Sequence, residues 1–263
     1  YYTSQSLDLA REIGDLFDAS YALGNLGSIA FSTGDYNQAE QYIWESIGLC
    51  RVMKFRQGLA HNLNLLGLCQ FLGGQLKAAQ ETTNEGVFIA RDLSFSNSVA
   101  YGLAVSSLLA SLEGDYEYGL TLTGEGRDLQ TNKFGVFLGH WAKAVAHTGL
   151  EQERQAWRQS LAALEICLHW RWDAIITWVL PPVGIILAQK GQPQRAAEIL
   201  GLYLNHPLRP SGWAEKWSLL SEWQAKLEDT LGTTAYRAAL VRGGDLDLIE
   251  IAEAILAEGD EAW

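Results

Sequence analysis

A pattern of turn residues returns at a fixed interval of 40 residues in the first half of this chain. The three occurrences are Gly34-Asp35-Tyr36, Gly74-Gln75-Leu76 and Gly114-Asp115-Tyr116. Small residues flank each first glycine at fixed offsets, Gly27, Gly67 and Ser107 seven positions before it and Ala39, Ala79 and Gly119 five positions after it. A fixed period of this length indicates stacked copies of one unit, because a unit that cannot bury its apolar face alone buries it against the next copy.

Each copy is predicted to be a helical hairpin. Apolar residues with helical spacing lie on both sides of each glycine turn, and the small residues allow the two helices to approach closely. The second helices also repeat, because segments 4–14, 45–55 and 85–95 share their apolar spacing and each carries an arginine, namely Arg11, Arg51 or Arg91. We therefore expect the chain to open with the second helix of a truncated unit and to be part of a longer protein.

Two further units follow with a looser match. The fourth is predicted to turn at Gly149 and the fifth at Gly191. The small residues that flank these turns are Ala142 and Ala156 in the fourth unit and Gly184 and Ala196 in the fifth. Pro181 and Pro182 either begin or kink the first helix of the fifth unit, and the sequence leaves both alternatives open.

Residues 210–263 depart from the 40-residue period. Segment 212–232 is predicted to form one amphipathic helix with an apolar stripe of Trp213, Trp217, Leu220, Trp223 and Leu227. Two shorter helices are predicted within segments 233–243 and 245–259. Stacked units expose an apolar face at their end, so we expect residues 210–263 to cap the array formed by residues 1–209.

Composition argues against several classes of protein. The formal net charge is −12 and no basic stripe is present, so direct nucleic-acid binding is not expected. The uncharged segment 174–188 is shorter than the roughly 20 residues of a membrane span, which predicts a buried helix. The three cysteines lack CxxC spacing and predict buried thiols in a reducing, cytoplasmic compartment.

Catalytic motifs are missing from the sequence. There is no Gly-Lys dipeptide for a phosphate-binding loop, and neither GxSxG nor HExxH occurs. His140 and His147 are seven positions apart without a third ligand in place, so no metal site is predicted. Helical-barrel glycosidases also place paired acids and tryptophans in a central cleft, but that fold does not account for the 40-residue turns. We predict a chain without enzymatic activity or cofactor.

The turn residues and their small neighbours resemble the tetratricopeptide repeat (TPR), lengthened from its usual length of about 34 residues to about 40. This longer form resembles the C-terminal sensor arrays of STAND-type signalling ATPases, including large LuxR-like and AfsR-like bacterial regulators. Segment 191–201 resembles the Gly-x-Pro-x-x-Ala-x-x-Leu-Leu-Gly turn near the end of such arrays, and segment 235–256 is similar to their closing segment. The resemblance implies an all-α solenoid of about five hairpins in a right-handed superhelix. It also implies N-terminal ATPase and output modules in a parent protein.

The resemblance also implies which residues face the concave wall. The predicted ligand- or partner-binding residues are Tyr21, Ser28, Phe31, His61, Asn64, Phe71, Tyr101, Lys143, His147 and Trp178. Aromatic rings with a few polar groups suit a small polar molecule or a peptide. Phe31 and Phe71 are equally consistent with packing between units. Segment 169–173, HWRWD, forms either an aromatic–cation lip on the groove or a packing contact between units.

Two functions follow from this architecture. In the first, a small-molecule effector binds the concave groove of a sensor and releases an ATPase switch in the parent protein. In the second, the groove of an adaptor takes a peptide or a partner protein. A sensor groove is expected to be enclosed and aromatic, whereas an adaptor groove is expected to be open and complementary in charge to its partner.

Overall fold

Residues in the left-handed backbone conformation divide the chain into segments of nearly constant length. The computed structural model describes residues 2–126 and 132–259. Positive φ angles recur every 20 residues in two series, at Gly14, Gly34, Lys54, Gly74, Ser94 and Gly114, and then at Glu151, Arg171 and Gly191. Each such residue ends a helix, and the amide that follows it donates to a carbonyl five residues earlier, as Asp35 N does to Ala30 O at 2.9 Å.

The described residues form an all-helical array in which consecutive helices pack against each other. The first helix is α1 (Tyr2–Ile13), and five hairpins follow. Their helices are α2 (Leu16–Ser32) with α3 (Tyr36–Met53), α4 (Arg56–Leu72) with α5 (Leu76–Asp92), α6 (Ser96–Leu112) with α7 (Tyr116–Glu125), α8 (Lys133–Gly149) with α9 (Glu153–Trp170), and α10 (Asp173–Gln189) with α11 (Pro193–Asn205). The predicted all-α fold of stacked hairpins is confirmed, while its right-handed sense stays a prediction.

The Gly-Asp-Tyr turn has a simple local explanation. The glycine takes the left-handed conformation, with φ of 85° at Gly34 and 89° at Gly114. The aspartate that follows caps the next helix, because Asp35 accepts a hydrogen bond from Gln38 N and Asp115 accepts one from Tyr118 N. One short motif therefore ends the first helix of a hairpin and begins the second.

The predicted turn of the fourth hairpin is wrong by two residues. Gly149 is the last residue of α8, and a Cβ atom on it would lie 2.2 Å from the ring of Tyr116, so this glycine allows a close helix contact. The left-handed residue is Glu151, which lies 40 positions before Gly191. Ala144 rather than Ala142 is therefore the small residue seven positions before the turn.

Ion pairs repeat along the second helices with the same period as the turns. Arg11 pairs with Glu45 at 2.5 Å, Arg51 with Glu85 at 3.1 Å, and Arg91 with Glu125 at 2.5 Å. These side chains are about half exposed, so each pair contributes at most about 1 kcal/mol to stability. The repeated arginine is thus an external contact between successive hairpins.

Pro181 and Pro182 lie inside α10, so neither of them begins that helix. Proline has no amide hydrogen, so Pro182 leaves the carbonyl of Trp178, four residues earlier, without its helical donor. The indole Nε1 of Trp141 donates to this carbonyl at 2.9 Å. The helix α10 is largely buried, and no helix of the described residues has the length and hydropathy of a membrane span.

The array closes on itself through Trp178. Its indole Nε1 donates to the hydroxyl of Tyr36 at 3.0 Å, although the two residues are 142 positions apart. The ring of Phe31 meets the Trp178 ring edge-on, with centroids 5.4 Å apart. Because Phe31 and Tyr36 belong to the first hairpin and Trp178 to the fifth, these contacts join opposite ends of the repeat series.

The predicted single helix over 212–232 is also wrong. A short 3-10 helix (Ala214–Lys216) precedes α12 (Ser218–Leu231), and Trp213 and Trp217 are fully buried outside α12. Trp213 N donates to Leu72 O at 3.1 Å, and its ring lies 6.0 Å from that of Phe71. Trp213 and Trp217 do not belong to the apolar stripe of α12, because they pack inside the closed array.

Two short helices complete the chain as predicted, α13 (Thr233–Gly244) and α14 (Leu248–Glu258). The predicted array (1–209) begins, and the predicted cap (210–263) ends, in residues outside the described part of the chain, namely residue 1 and residues 260–263. The helix α13 packs against α11, and α14 packs against α9 and α10, so residues 218–258 cover the far end of the array.

The small residue before each turn is expected to be required for helix packing. A Cβ atom at Gly67 would lie 2.1 Å from Oγ1 of the buried Thr83, so Gly67→Ala is expected to lower the free energy of unfolding by about 1–3 kcal/mol. Gly48 is exposed within α3, and no atom lies within 4 Å of its Cβ position. Gly48→Ala is therefore the matched control, and it is expected to raise the free energy of unfolding by up to about 1 kcal/mol. Denaturant unfolding measures the free energy of unfolding of both variants. Equal changes in the two would contradict the role of Gly67 in a close helix contact.

The ring closure makes a separate prediction. Tyr36→Phe removes the acceptor of the buried Trp178 indole and is expected to destabilise the fold by about 1–3 kcal/mol. The control is Tyr118→Phe, because the Tyr118 side chain is 53% exposed and its loss is expected to change stability by less than about 0.5 kcal/mol. Denaturant unfolding again provides the measurement, and a neutral Tyr36→Phe would show that the closing hydrogen bond does not stabilise the fold.

Candidate functional site

A cavity of about 440 Å³ lies on the inner side of the closed array. We call it the aromatic cavity. Its walls come from α2, α4, α6, the start of α8 and the α9–α10 turn, through Ser28, Phe31, Ser32, His61, Leu65, Tyr101, Asn132, Lys133, Phe134, Trp170, Trp172 and Ile175. Among the described residues, every hairpin contributes to the walls, and all contributions except Trp170 at the end of α9 come from a first helix or the residue before it. The cavity therefore depends on the same closure that joins the first and fifth hairpins.

Aromatic rings form a connected wall along this cavity. Phe134 is the central ring, with centroid distances of 5.7 Å to Tyr101 and 5.6 Å to Trp172. Trp172 in turn stacks on Trp170 at 6.4 Å with an angle of 27° between the rings. Phe31 meets Phe134 edge-on at 5.8 Å on the opposite flank. Planar apolar groups can therefore stack along an extended ring surface.

The α9–α10 turn brings both tryptophans of HWRWD to the rim. Trp170 is the last residue of α9, Arg171 is left-handed with φ of 56°, and Trp172 is the residue before α10. Trp170 is 47% exposed. Both tryptophans line the cavity and Arg171 does not, so the aromatic–cation lip considered for this segment lacks its cation, and Trp172 also packs against the core.

The start of α8 supplies the polar part of the rim. Asn132 caps this helix, because its Oδ1 accepts a hydrogen bond from Gly135 N at 2.7 Å. Lys133 follows as the first helical residue and is exposed at the cavity. None of the described residues that line the cavity is Asp or Glu. The arrangement therefore provides a cation but no carboxylate pair of the kind that glycoside hydrolysis uses.

The rings of His61 and Tyr101 are neighbours in the cavity wall, with centroids 6.5 Å apart and ring planes inclined by 63°. His61 is exposed to the cavity, and desolvation by the surrounding walls lowers the pKa of its imidazole from 6.5. Tyr101 is only 6% exposed, and burial raises the pKa of its hydroxyl well above the usual value. This hydroxyl has no hydrogen-bond partner among the described residues. A buried donor without a partner is unusual in a folded protein.

A second, smaller cavity of about 300 Å³ adjoins the first. We call it the side cavity. It lies between α2 and α4 and shares Ser28 and His61 with the aromatic cavity. Tyr21, which is 66% exposed, lies at its edge, and Asn62 donates to Ser46 Oγ at 2.9 Å in its wall. The two cavities together form one trough along the inner wall.

Five of the predicted binding residues lie at these cavities. Ser28, Phe31, His61 and Tyr101 line the aromatic cavity, and Tyr21 lines the side cavity. These five residues belong to α2, α4 and α6, the first helices of the first three hairpins.

Three other predicted residues are buried, which corrects their placement on the free surface of the groove. Asn64 Nδ2 donates to Ser98 O at 2.7 Å between α4 and α6. Phe71 and Trp178 are fully buried, because the tight curvature of the array and segment 206–217 fill the inside near the turns. These residues contribute to the core rather than to the candidate site.

Lys143 and His147 are the remaining predicted residues, and they do not line either cavity. They follow Phe134 by 9 and 13 positions on α8, which is about 13–20 Å along the helix axis. His147 Nδ1 lies 2.7 Å from Gln152 Oε1 instead. The register error at Gly149 does not account for this, because the equivalent positions counted from Glu151 are Leu138, Trp141, Val145 and Thr148, which are buried in the core.

Sequence reasoning missed Lys133 and Phe134, because they precede Glu151 by 18 and 17 positions and match none of the inward positions mapped from the other hairpins. A signal for the correct register exists, because Glu151 lies 40 positions before Gly191 and five positions before Ala156. Nothing in the local pattern, however, indicates that the start of α8 meets α2 and α10.

Metal and thiol chemistry do not add a further site. The structure of residues 2–126 and 132–259 brings no three His, Cys, Asp or Glu side chains together as metal ligands. All three cysteines are free and buried, as their apolar surroundings predict. A scan against protein-family models gives no match for this chain, and a comparison with curated protein sequences gives none either. The TPR resemblance therefore depends on the repeat and its residues alone.

The lowered pKa of His61 makes stability depend on pH. The unfolded state gains a proton on His61 near pH 6.5 while the folded state resists it, so the free energy of unfolding is expected to decrease as the pH falls below about 6.5. Burial also lowers the pKa of His140, His147 and His206, which act in the same direction. Among the described residues, the other titratable groups at the two cavities are Lys133, Tyr101, Tyr21 and Cys50, and none of these is a carboxylate.

His61→Gln is therefore expected to reduce this decrease without abolishing it. Urea unfolding of both proteins at about pH 7 and about pH 5 measures the difference. The same decrease in the variant and in the native chain would show that His61 does not take part.

Proposed function

We propose that this chain is a recognition domain without enzymatic activity that binds a small-molecule effector in the aromatic cavity. We further propose that it serves as the sensor of a larger cytoplasmic, bacterial-type signalling ATPase or transcriptional regulator. The observation that carries the first proposal is the aromatic cavity itself, which the closure of the array places among five hairpins.

The size and lining of the cavity favour a small molecule. Its volume of about 440 Å³ lies within the range of about 300–1,000 Å³ that is typical of ligand pockets. The walls are mainly aromatic and carry few polar groups, of which Lys133, His61 and Tyr101 are the most distinctive. Such a lining provides stacking energy together with a few directional contacts.

The filled interior disfavours the adaptor alternative. A peptide in an adaptor groove needs an open channel along successive hairpins. Near the turns this channel is occupied by Trp213, Trp217 and Phe71, all of which are fully buried. The space that remains is the trough of the aromatic cavity and the side cavity, which does not extend along the turn end of the hairpins.

The position of the cavity suggests how binding could be transmitted. A ligand in it contacts the first hairpin through Phe31 and the fifth through Ile175. It therefore binds the closed array better than any arrangement in which these hairpins separate. Such a difference in affinity is the physical requirement for a ligand to shift a conformational equilibrium.

The link to STAND-type ATPases depends on the TPR resemblance. In that arrangement the N-terminal ATPase and output modules of the parent protein would respond to closure of the array. The groove contacts no nucleic acid in this proposal, because the chain carries a net charge of −12.

Blocking the cavity provides the test. In a thermal-shift screen against metabolites, oligosaccharides and nucleotides, a ligand at about 100 times its dissociation constant adds about 2.7 kcal/mol to stability. Ser28→Trp fills the shared wall of both cavities and is expected to abolish the shift, since Ser28 is exposed and bonds only to Gly24 O. The matched control is Ile29→Trp, because Ile29 is 51% exposed and lines neither cavity.

Two results would count against the proposal. A shift that survives Ser28→Trp would place the ligand elsewhere. If no small molecule shifts the melting temperature and a protein partner is captured instead, in a manner that Ser28→Trp prevents, the adaptor function would be favoured.

A further inference from the structure

The charge at the aromatic cavity is unusual for this chain. The protein carries a formal net charge of −12, yet no Asp or Glu is among the described residues of the cavity. Lys133 is the fully charged side chain there, and it takes part in none of the ion pairs that the described residues form. The described lining of the cavity therefore carries a local positive charge in a chain of net negative charge.

The backbone at the rim reinforces this positive charge. Lys133 begins α8, a helix of 17 residues whose first turn opens on the cavity through Asn132, Lys133 and Phe134. The N-terminus of a helix carries a partial positive charge and presents amide groups that lack helical acceptors. Asn132 satisfies one of these amides, that of Gly135. An anionic group at the rim would be stabilised by Lys133 and by the helix end together.

Tyr101 provides an independent indication that the cavity holds a ligand. The side chain is 94% buried, lines the cavity, and has a hydroxyl without a hydrogen-bond partner in the described residues. Leaving such a group unpaired costs about 1–3 kcal/mol. Its oxygen is almost inaccessible, so a ligand atom in the cavity recovers this energy only with a small movement of the Tyr101 ring. His61 faces the same space with its imidazole and adds a second polar contact.

The ring wall sets the shape of the ligand. Tyr101, Phe134 and Trp172 follow one another at centroid distances of 5.7 and 5.6 Å, with ring planes inclined by 36° and 72°. A flat ring system can therefore lie against the face of one ring while its edge meets the next. Aromatic walls also attract organic cations. Here Lys133 and the start of α8 oppose a cation, and no carboxylate is present among the described lining residues to compensate.

We propose that the aromatic cavity selects planar apolar molecules that carry one negative charge, of which an aryl carboxylate is the simplest example. The rings of such a ligand lie against Phe134 and Trp172, and its carboxylate lies between Lys133 and the first turn of α8. This inference depends on the proposed small-molecule function and specifies the class of ligand.

Three probes with the same ring system distinguish the contribution of the ligand's charge to affinity from that of ring stacking. Naphthoate, naphthamide and naphthylmethylammonium share one ring system and differ in the charge of the substituent. Titration calorimetry of the chain at neutral pH and low salt is expected to show naphthoate binding about three- to tenfold more tightly than naphthamide. The ammonium probe is expected to bind most weakly, because Lys133 repels it.

Lys133→Met tests the assignment of the cation. This variant is expected to lower naphthoate affinity about two- to fivefold, to leave a smaller preference for naphthoate that the first turn of α8 provides, and to leave naphthamide affinity unchanged. Lys77→Met is the matched control, since Lys77 is an exposed lysine in the first turn of α5 that does not line the cavity. Both variants change an exposed side chain, and their melting temperatures verify that they are folded.

The outcomes distinguish this inference from the proposed function. Equal affinity for naphthoate and naphthamide, or tightest binding of the ammonium probe, would overturn the anionic class while the small-molecule function stands. An unchanged preference for naphthoate in Lys133→Met would overturn the role of Lys133. If no probe binds, the inference fails, and if the metabolite screen is also negative, the proposed function fails with it.

Discussion

One chain of hydrogen bonds holds the ends of the repeat series together. Pro182 removes the helical donor of the Trp178 carbonyl, the Trp141 indole replaces that donor, and the Trp178 indole bonds to Tyr36. Each of these polar groups lies in an apolar interior where an unpaired group would cost about 1–3 kcal/mol. The fourth, fifth and first hairpins are therefore fixed relative to one another. The aromatic cavity inherits its shape from this arrangement, because its walls come from the same hairpins.

The fold and the candidate site differ in how far the sequence could predict them. Turns, hairpins and helix contacts arise from neighbouring segments, so the 40-residue period was sufficient to predict them. The fourth hairpin was misplaced because its left-handed residue is Glu151, and a turn without glycine gives no clear signal. Ser28, His61 and Tyr101 were identified because inward positions repeat with the turns. The burial of Trp178 and the approach of Phe134 depend on closure between distant hairpins, which no local pattern contains.

The interior of the array is packed at one end and open at the other. Near the turns, Trp213, Trp217 and Phe71 pack into a solid core, whereas at the other end the same inner wall leaves space beside Tyr101. Phe31 belongs to both parts, since it contacts Trp178 in the core and lines the cavity. Affinity for the proposed ligand would consequently be coupled to fold stability through shared residues, so exposed positions such as Ser28 and Lys133 are the informative ones to change.

The closing contact between Tyr36 and Trp178 also has a consequence for the order of folding. Each hairpin involves residues close together in the chain and can form early, because short loops close at little entropic cost. The contact between the first and fifth hairpins spans 142 residues, and the contact of Trp213 with Leu72 spans a similar distance, so both must come late. During synthesis the aromatic inner wall of the first hairpins therefore stays uncovered until segment 206–217 has left the ribosome. A solenoid that closes in this way gives up the repeat-by-repeat folding of an open array and shares the slow, long-range assembly of proteins with high contact order.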